Sequence, residues 1–264
     1  MLDLAINAAL EAGKAIMCIY LDPKQDFGIE KKADNSPLTL ADKAAHNCIV
    51  RHLEQTGIPI LSEEGAHLPY EERKSWHRLW VVDPLDGTKE FVKKNGEFTV
   101  NIALVEDGQP VLGVIYVPAT DVLYVGVVGS PLPASPLGEC FKLIGMREGT
   151  ISSVVLPQRG SREGAFTVVA SRSHLTPETE EYIAEMQKKH DNVRLVSSGS
   201  SLKICLVAEG IADVYPRFAP TMEWDTAAGD AIARAAGREV VNAKTGQPLV
   251  YNKPDLHNPW FIVR

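Results

Sequence analysis

The chain has 264 residues, of which 45% are hydrophobic and 23% charged, and 27 Lys and Arg against 34 Asp and Glu leave a formal net charge of -7. Those values suit a globular body with apolar mass enough for its own core and exclude a disordered, fibrous or membrane-embedded chain. The negative balance argues against a nucleic acid polymer as partner, and an acidic body that handles a small anion must gather cations at the site itself.

Leu4, Ala8, Ala12, Ala15 and Ile19 recur at helical spacing, so residues 3–20 read as an amphipathic helix that stops before Asp22-Pro23. It contains Asp3, Glu11 and Lys14, has no basic start and lacks a small-residue cleavage site, which predicts neither a signal peptide nor a transmembrane span. Cys18, Cys48, Cys140 and Cys205 lie far apart without a CxxC, a usage expected of a reducing cytoplasm, with loose attachment to the inner face of the membrane left open. A second helix is expected from near Thr39 to Thr56, with Gly57 as its stop and Asp42 in its first turn. The apolar run at 78–82 reads as a buried strand ending in the loop DPLDGT at 83–88. Strands at 98–105, 110–117 and 122–128, joined by the turns EDGQ and PATD, predict an antiparallel meander.

Residues 129–165 interrupt this pattern, which places a boundary between an α+β domain over 1–150 and an α/β domain over 151–264. Beyond it come a strand at 166–170, a helix at 177–189 capped by Thr176, a strand at 193–197 and a helix at 200–209. A strand at 211–216, a helix at 225–236 and a strand at 238–242 complete the α/β rhythm.

The strongest local signal is Asp83-Pro84-Leu85-Asp86-Gly87-Thr88 after a buried strand, because Asp83 and Asp86 project from one turn toward one point. Two carboxylates that close repel each other unless hard cations neutralise them, and the Leu85 carbonyl adds a further oxygen. Glu63 and Glu64 follow an apolar run, and Asp225 opens a helix. An oxygen-only donor set suits Mg²⁺ or Mn²⁺ rather than zinc. Each piece alone has a plainer reading: a self-capping turn, a solvated pair of glutamates, a helix cap. Their joint placement at strand ends and helix starts, where open α/β sheets bind ligands, favours a metal site.

These motifs resemble those of the inositol monophosphatase superfamily of Mg²⁺-dependent, lithium-sensitive phosphatases: an acidic pair, DPxDGT and a late WD. KADNSPLTLAD at 32–42, LSEE at 61–64, DPLDGTKEF at 83–91, GEFTVNIALV at 96–105, ASRSH at 170–174, GSSLK at 199–203, ADVYPR and WDTAAG resemble its 3'(2'),5'-bisphosphate nucleotidase branch of CysQ type. Inositol phosphatases typically read DGTTNF where this chain has DGTKEF, a difference that favours the nucleotidase branch.

The resemblance implies a layered αβαβα sandwich, α+β and α/β in class, with an antiparallel N-terminal sheet and a mixed C-terminal sheet. It implies two or three Mg²⁺ ions held by Glu63, Asp83, the Leu85 carbonyl, Asp86 and Asp225, with Asp83 bridging, although from sequence Glu63 and Glu64 could exchange roles. Thr88 and Asp42 would align the attacking water. Backbone N–H groups of Gly87 and Thr88 would meet the scissile phosphate, while Gly199, Ser200, Lys203, Arg217, Asp225 and, less directly, His174 would contact the rest of a nucleotide bisphosphate. The implied reaction removes the 3'-phosphate from adenosine 3',5'-bisphosphate, and also acts on its 5'-phosphosulfate relative. Two rivals stand beside it: the same metal chemistry on inositol or fructose phosphates, and a catalytically silent nucleotide or metal sensor. The remaining histidines, His46, His52, His67, His77, His190 and His257, show no metal-ligand spacing and read as surface or capping residues, Cys205 as core and Trp224 as packing.

Overall fold

The computed structural model describes residues 1–23, 27–31, 37–65, 68–129, 138–147, 149–157, 164–171 and 175–264. The chain opens with α1 (Leu2–Leu21), a short antiparallel pair β1 (Glu30–Lys31) and β2 (Pro37–Leu38), and α2 (Leu40–Leu53). Next come β3 (Ile60–Ser62), the single turn α3 (Tyr70–Arg73), β4 (Arg78–Asp86), the short helix α4 (Thr88–Val92), β5 (Thr99–Glu106), β6 (Gln109–Val117), β7 (Val122–Val128), β8 (Gly138–Ile144) and β9 (Ser152–Val155). The seven strands from β3 to β9 form one sheet in sequence order. Only β3 and β4 run parallel there, so the sheet is antiparallel throughout except at its first edge.

Both faces of this sheet are covered, which explains why β4 is apolar at consecutive rather than alternate positions. Trp80, Val82, Ile102 and Val114 pack on Ala8, Ala12 and Ile16 of α1 and on Ala45 and Ile49 of α2. Among the described residues α1 is the one helix long and apolar enough to cross a membrane, and here its alanine face is buried in that cluster. Leu79, Val81, Ala103 and Ile115 face the other way, onto α6 (Leu202–Glu209) and α7 (Glu223–Ala235). The approach of α7 is close: a Cβ on Gly113 would lie 2.1 Å from the Ala228 carbonyl oxygen, so no larger residue fits at that crossing.

A second strand layer lies beyond α6 and α7. It joins β10 (Phe166–Ser171), parallel to β11 (Val193–Ser198), through a Val168↔Val214 bridge to β12 (Tyr215–Arg217), which continues antiparallel to β14 (Phe261–Val263) and β13 (Val240–Asn242). Ile183 and Met186 of α5 (Pro177–Lys189) close that layer against Val168 and Val214. The result is the five-layer αβαβα arrangement.

Beyond shifts at element ends, such as a second helix that stops at Leu53 and a strand that begins at Tyr215 rather than 211, the structure departs from the sequence expectation in three places. The segment at 83–86 is not a loop, because β4 continues through it. Asp83 pairs with Asn101 and Asp86 with Thr99, so two residues, Pro84 and Leu85, oppose Val100 alone in a bulge. Within 129–165, read as an interruption, β8 and β9 extend the first sheet through Val155. The three-residue β14, unanticipated, separates β12 from β13.

Candidate active site

The bulge supplies the site's geometry. It breaks the pleat between Asp83 and Asp86, and Pro84, which has no N–H to give, costs nothing there. Leu85 N–H donates to Asp83 Oδ1 at 3.1 Å and fixes the turn. Gly87 follows with φ 92°, which favours glycine, and a Cβ on it would also crowd the Glu97 carbonyl oxygen at 3.1 Å. From the other side of the crevice α7 brings Asp225 in its first turn, where the carboxylate also accepts from Met222 N–H at 2.8 Å.

Oxygen atoms of Asp83, Asp86 and Asp225 lie within 4.8 Å of one another. Removal from water holds the proton of Asp83 well above the usual carboxylate range, with Glu63, Asp86 and Asp225 adding repulsion. Asp225 is pushed up to about 8, again chiefly by loss of water and then by Asp86. Glu63, in the turn after β3, stands against Asp83, while its neighbour Glu64 acts on His46 on α2. His46 is half-buried and its Nδ1 lies 2.9 Å from Ser62 Oγ, so it packs under the acidic turn rather than sitting free on the surface.

Asp42 lies in a capping box. Its Oδ2 accepts from Thr39 N–H at 2.7 Å and from the Thr39 hydroxyl, which leaves Oδ1 directed to the Thr88 hydroxyl at 3.3 Å. The Leu85 carbonyl is the second acceptor near that hydroxyl, at 3.4 Å.

A cavity of about 320 Å³ opens beside the acids, its wall formed in part by Gly87, Thr88, Ser200, Lys203 and Arg217. Lys203 donates to the Ser198 and Ser200 carbonyls at 3.3 and 2.6 Å and lies over the Tyr215 ring. Burial lowers its ammonium pKa to about 8, Asp86 opposing the shift. Arg217 donates through Nη2 to the Pro220 carbonyl at 3.0 Å, and its Nε, like Ser200 Oγ, is buried without a hydrogen-bond partner. Gly199 contributes less than expected, because its N–H already donates to Glu97 Oε2 at 2.8 Å. His174 lies outside the described residues.

Two contributors escape the sequence reading, Glu97 and Asn101, and Ser201, expected with Gly199 and Ser200 as a donor to the substrate, turns to Asp86 instead. Ser201 stands at the N-cap position of α6 without a side-chain capping bond, and its hydroxyl turns to Asp86 Oδ2 at 2.6 Å, where Asn101 Nδ2 also points. For Asn101 the available signal is a lone amide inside the apolar run TVNIALV.

The family model for the inositol monophosphatase family matches residues 1–259. The chain belongs to the inositol monophosphatase family. It is 45% identical over 268 residues to the 3'(2'),5'-bisphosphate nucleotidase CysQ of Shigella flexneri, covering 100% of this chain and 99% of that protein. The crystal structure of CysQ from Bacteroides thetaiotaomicron, a bacterial member of the family, superposes with a TM-score of 0.88 at 57% identity, covering 99% of this chain and 96% of the other. Inositol monophosphatase-II from Staphylococcus aureus superposes at 0.73 with 25% identity, covering 100% and 90%.

Inositol monophosphatase family members are metal-dependent phosphatases, generally Mg²⁺-dependent. The donor set fits: hard oxygen atoms only, drawn together where their own repulsion and loss of hydration demand a compensating positive charge. Among the described residues no histidine or cysteine stands in that group.

Proposed function

We propose that the chain is a Mg²⁺-dependent 3'(2'),5'-bisphosphate nucleotidase of the reducing cytoplasm that hydrolyses the 3'-phosphate of adenosine 3',5'-bisphosphate to AMP and phosphate, and acts also on the 5'-phosphosulfate relative. The observation that carries this reading is one cavity whose wall pairs the acids Asp86 and Asp225 with a cationic and hydroxyl set, the buried Lys203 and the half-buried Arg217 and Ser200. A phosphomonoester alone needs the acids and their cations. A second phosphate needs the cations on the opposite wall.

Glu63, Asp83, the Leu85 carbonyl, Asp86 and Asp225 would hold two or three Mg²⁺ ions, Asp83 between them, with the carboxylates drawn from both of the domains proposed at 1–150 and 151–264. Bound there, the ions would polarise the phosphoryl oxygens and favour ionisation of water. Asp42 Oδ1 accepts the Thr88 hydroxyl proton, so Thr88 Oγ1 presents a lone pair to the attacking water and sets its line toward phosphorus. Thr39 holds the other oxygen of Asp42 and so keeps that direction fixed. The N–H groups of Gly87 and Thr88 meet the scissile phosphate. Ser200 Oγ and Arg217 Nε, buried and unpartnered, are a donor pair for the ribose and the retained 5'-phosphate, with Lys203 beside them. Water attacks in line and no phosphoenzyme forms.

Matched assays of purified protein on adenosine 3',5'-bisphosphate, inositol 1-phosphate and fructose 1,6-bisphosphate test the reading, with a kcat/KM clearly highest for the nucleotide expected. Faster hydrolysis of inositol 1-phosphate refutes the substrate assignment. Tight nucleotide binding with no phosphate release in Mg²⁺ refutes catalysis.

A further inference from the structure

We propose that Ser201, backed by Asn101, is a positioning residue for Asp86: it pins one oxygen of that carboxylate from across the crevice and thereby turns the other toward the cation-holding cluster. The inference rests on the reading of Asp83, Asp86 and Asp225 as metal ligands. At an N-cap position a serine ordinarily satisfies an orphan N–H of its own helix. Ser201 makes no such bond. Its Oγ lies 2.6 Å from Asp86 Oδ2 and 2.8 Å from the Asp225 carbonyl oxygen, and accepts from Asn101 Nδ2 at 2.9 Å.

Counting protons fixes the directions. The Ser201 hydroxyl has one proton and two acceptors within reach, and the shorter contact is to the carboxylate, where a charge-assisted bond is the stronger. Asn101 Nδ2 has protons for both Ser201 Oγ and Asp86 Oδ2, the latter at 3.4 Å. Turning the amide over would set its oxygen against that carboxylate, so the orientation is determined by the network. In this orientation Asn101 Oδ1 is buried without a partner. A buried acceptor left unpaired is costly, and an apolar side chain of similar shape would avoid the cost, so the amide contributes through what Nδ2 holds. Both donors converge on Oδ2, which leaves Oδ1 as the oxygen Asp86 offers a cation. Ser201 lies 115 residues from Asp86 in sequence, so the aim of this ligand depends on a contact that spans the crevice, while Asn101, 15 residues away, holds it from the neighbouring strand β5.

Groups that orient a metal ligand typically alter metal affinity about 10- to 100-fold when removed. The test is titration of the full-length protein with Mn²⁺ alone, free ion being counted by electron paramagnetic resonance, with no substrate present. Ser201→Ala is expected to weaken Mn²⁺ binding about 10-fold, and Asn101→Leu to weaken it in the same direction. In an Asp86→Asn background Ser201→Ala should produce no further loss, an outcome that a general loosening of the fold would not give. Wild-type affinity in Ser201→Ala, or an undiminished loss in the Asp86→Asn background, overturns the proposal. Asp83→Asn separates the two levels of inference. If it too leaves Mn²⁺ binding untouched, the metal-centre reading has failed, whereas a loss there beside wild-type affinity in Ser201→Ala removes only the role of Ser201.

Discussion

Asp83 is taken out of water beside Glu63, Asp86 and Asp225, and each of these carboxylates adds to the repulsion that its own charge meets. An asparagine has the same shape and lacks the charge, so Asp83→Asn should relieve the metal-free protein while weakening every cation site that Asp83 shares. The expected outcome is a melting temperature in EDTA equal to or above that of the parent, with kcat/KM for adenosine 3',5'-bisphosphate lower by at least about 10²-fold; unchanged turnover is incompatible with a bridging ligand. Lys203 makes the complementary case for a cation. Burial depresses its pKa to about 8, so its charge is present below that pH and lost above it, whereas an unfolded lysine keeps its proton to near 10.5. Since kcat/KM reports the free enzyme, its value for the bisphosphate should fall as pH rises through about 8. Lys203→Arg, charged throughout that range, should flatten this limb, and a fall of the same steepness in the variant would assign the titration to another group.

The helix α2 shows how a local sequence rule becomes part of a site. Thr39 begins it in the ordinary way, but the third residue of its capping box is Asp42, whose Oδ1 accepts from the Thr88 hydroxyl. Thr39→Ala therefore removes a cap and an anchor together. The cap loss costs about 1 kcal/mol, roughly 2–4 °C in melting temperature, and the loosened Asp42 should lower kcat more than it raises KM. Thr176, which caps α5 by accepting from Thr179 N–H, provides the control: Thr176→Ala should cost comparable stability and leave kcat unchanged. An equal fall in kcat for both would assign the effect to stability. The same contrast explains what the sequence made legible. Periodic apolar positions gave α1, cap chemistry gave α2 and α5, and short turns gave the meander from β5 to β7. The site acids were legible because their motifs are contiguous. The strands β8 and β9 were missed because neither declares its partner locally, β9 being mostly exposed, and β14 has three residues that become a strand only by pairing with β12 and β13. Asn101 was missed, and the partner of Ser201 was misread, for a related reason: their pairing exists only once a fold brings together positions 100 residues apart.

At the scale of the whole molecule a chain of net charge -7 gathers carboxylates where two layers meet, with Asp83 and Asp86 on the seven-stranded sheet and Asp225 on α7. Folding therefore works against this cluster in the metal-free protein, and a divalent cation that binds the folded chain alone couples the two layers while neutralising them. A ligand at one hundred times its Kd adds about 2.7 kcal/mol of stability, and at roughly 2–4 °C per kcal/mol for a chain of this size class saturating Mg²⁺ should raise the melting temperature by about 5–10 °C. Diffuse screening would stabilise too, but it depends on ionic strength and not on the identity of the ion. KCl at matched ionic strength should accordingly give a far smaller rise, EDTA should reverse the Mg²⁺ effect, and Asp225→Asn should shrink it because the helix then brings no charge to the cluster. Equal rises in KCl and in MgCl₂ would mean that the acids are merely screened, and the metal centre would lose its thermodynamic basis.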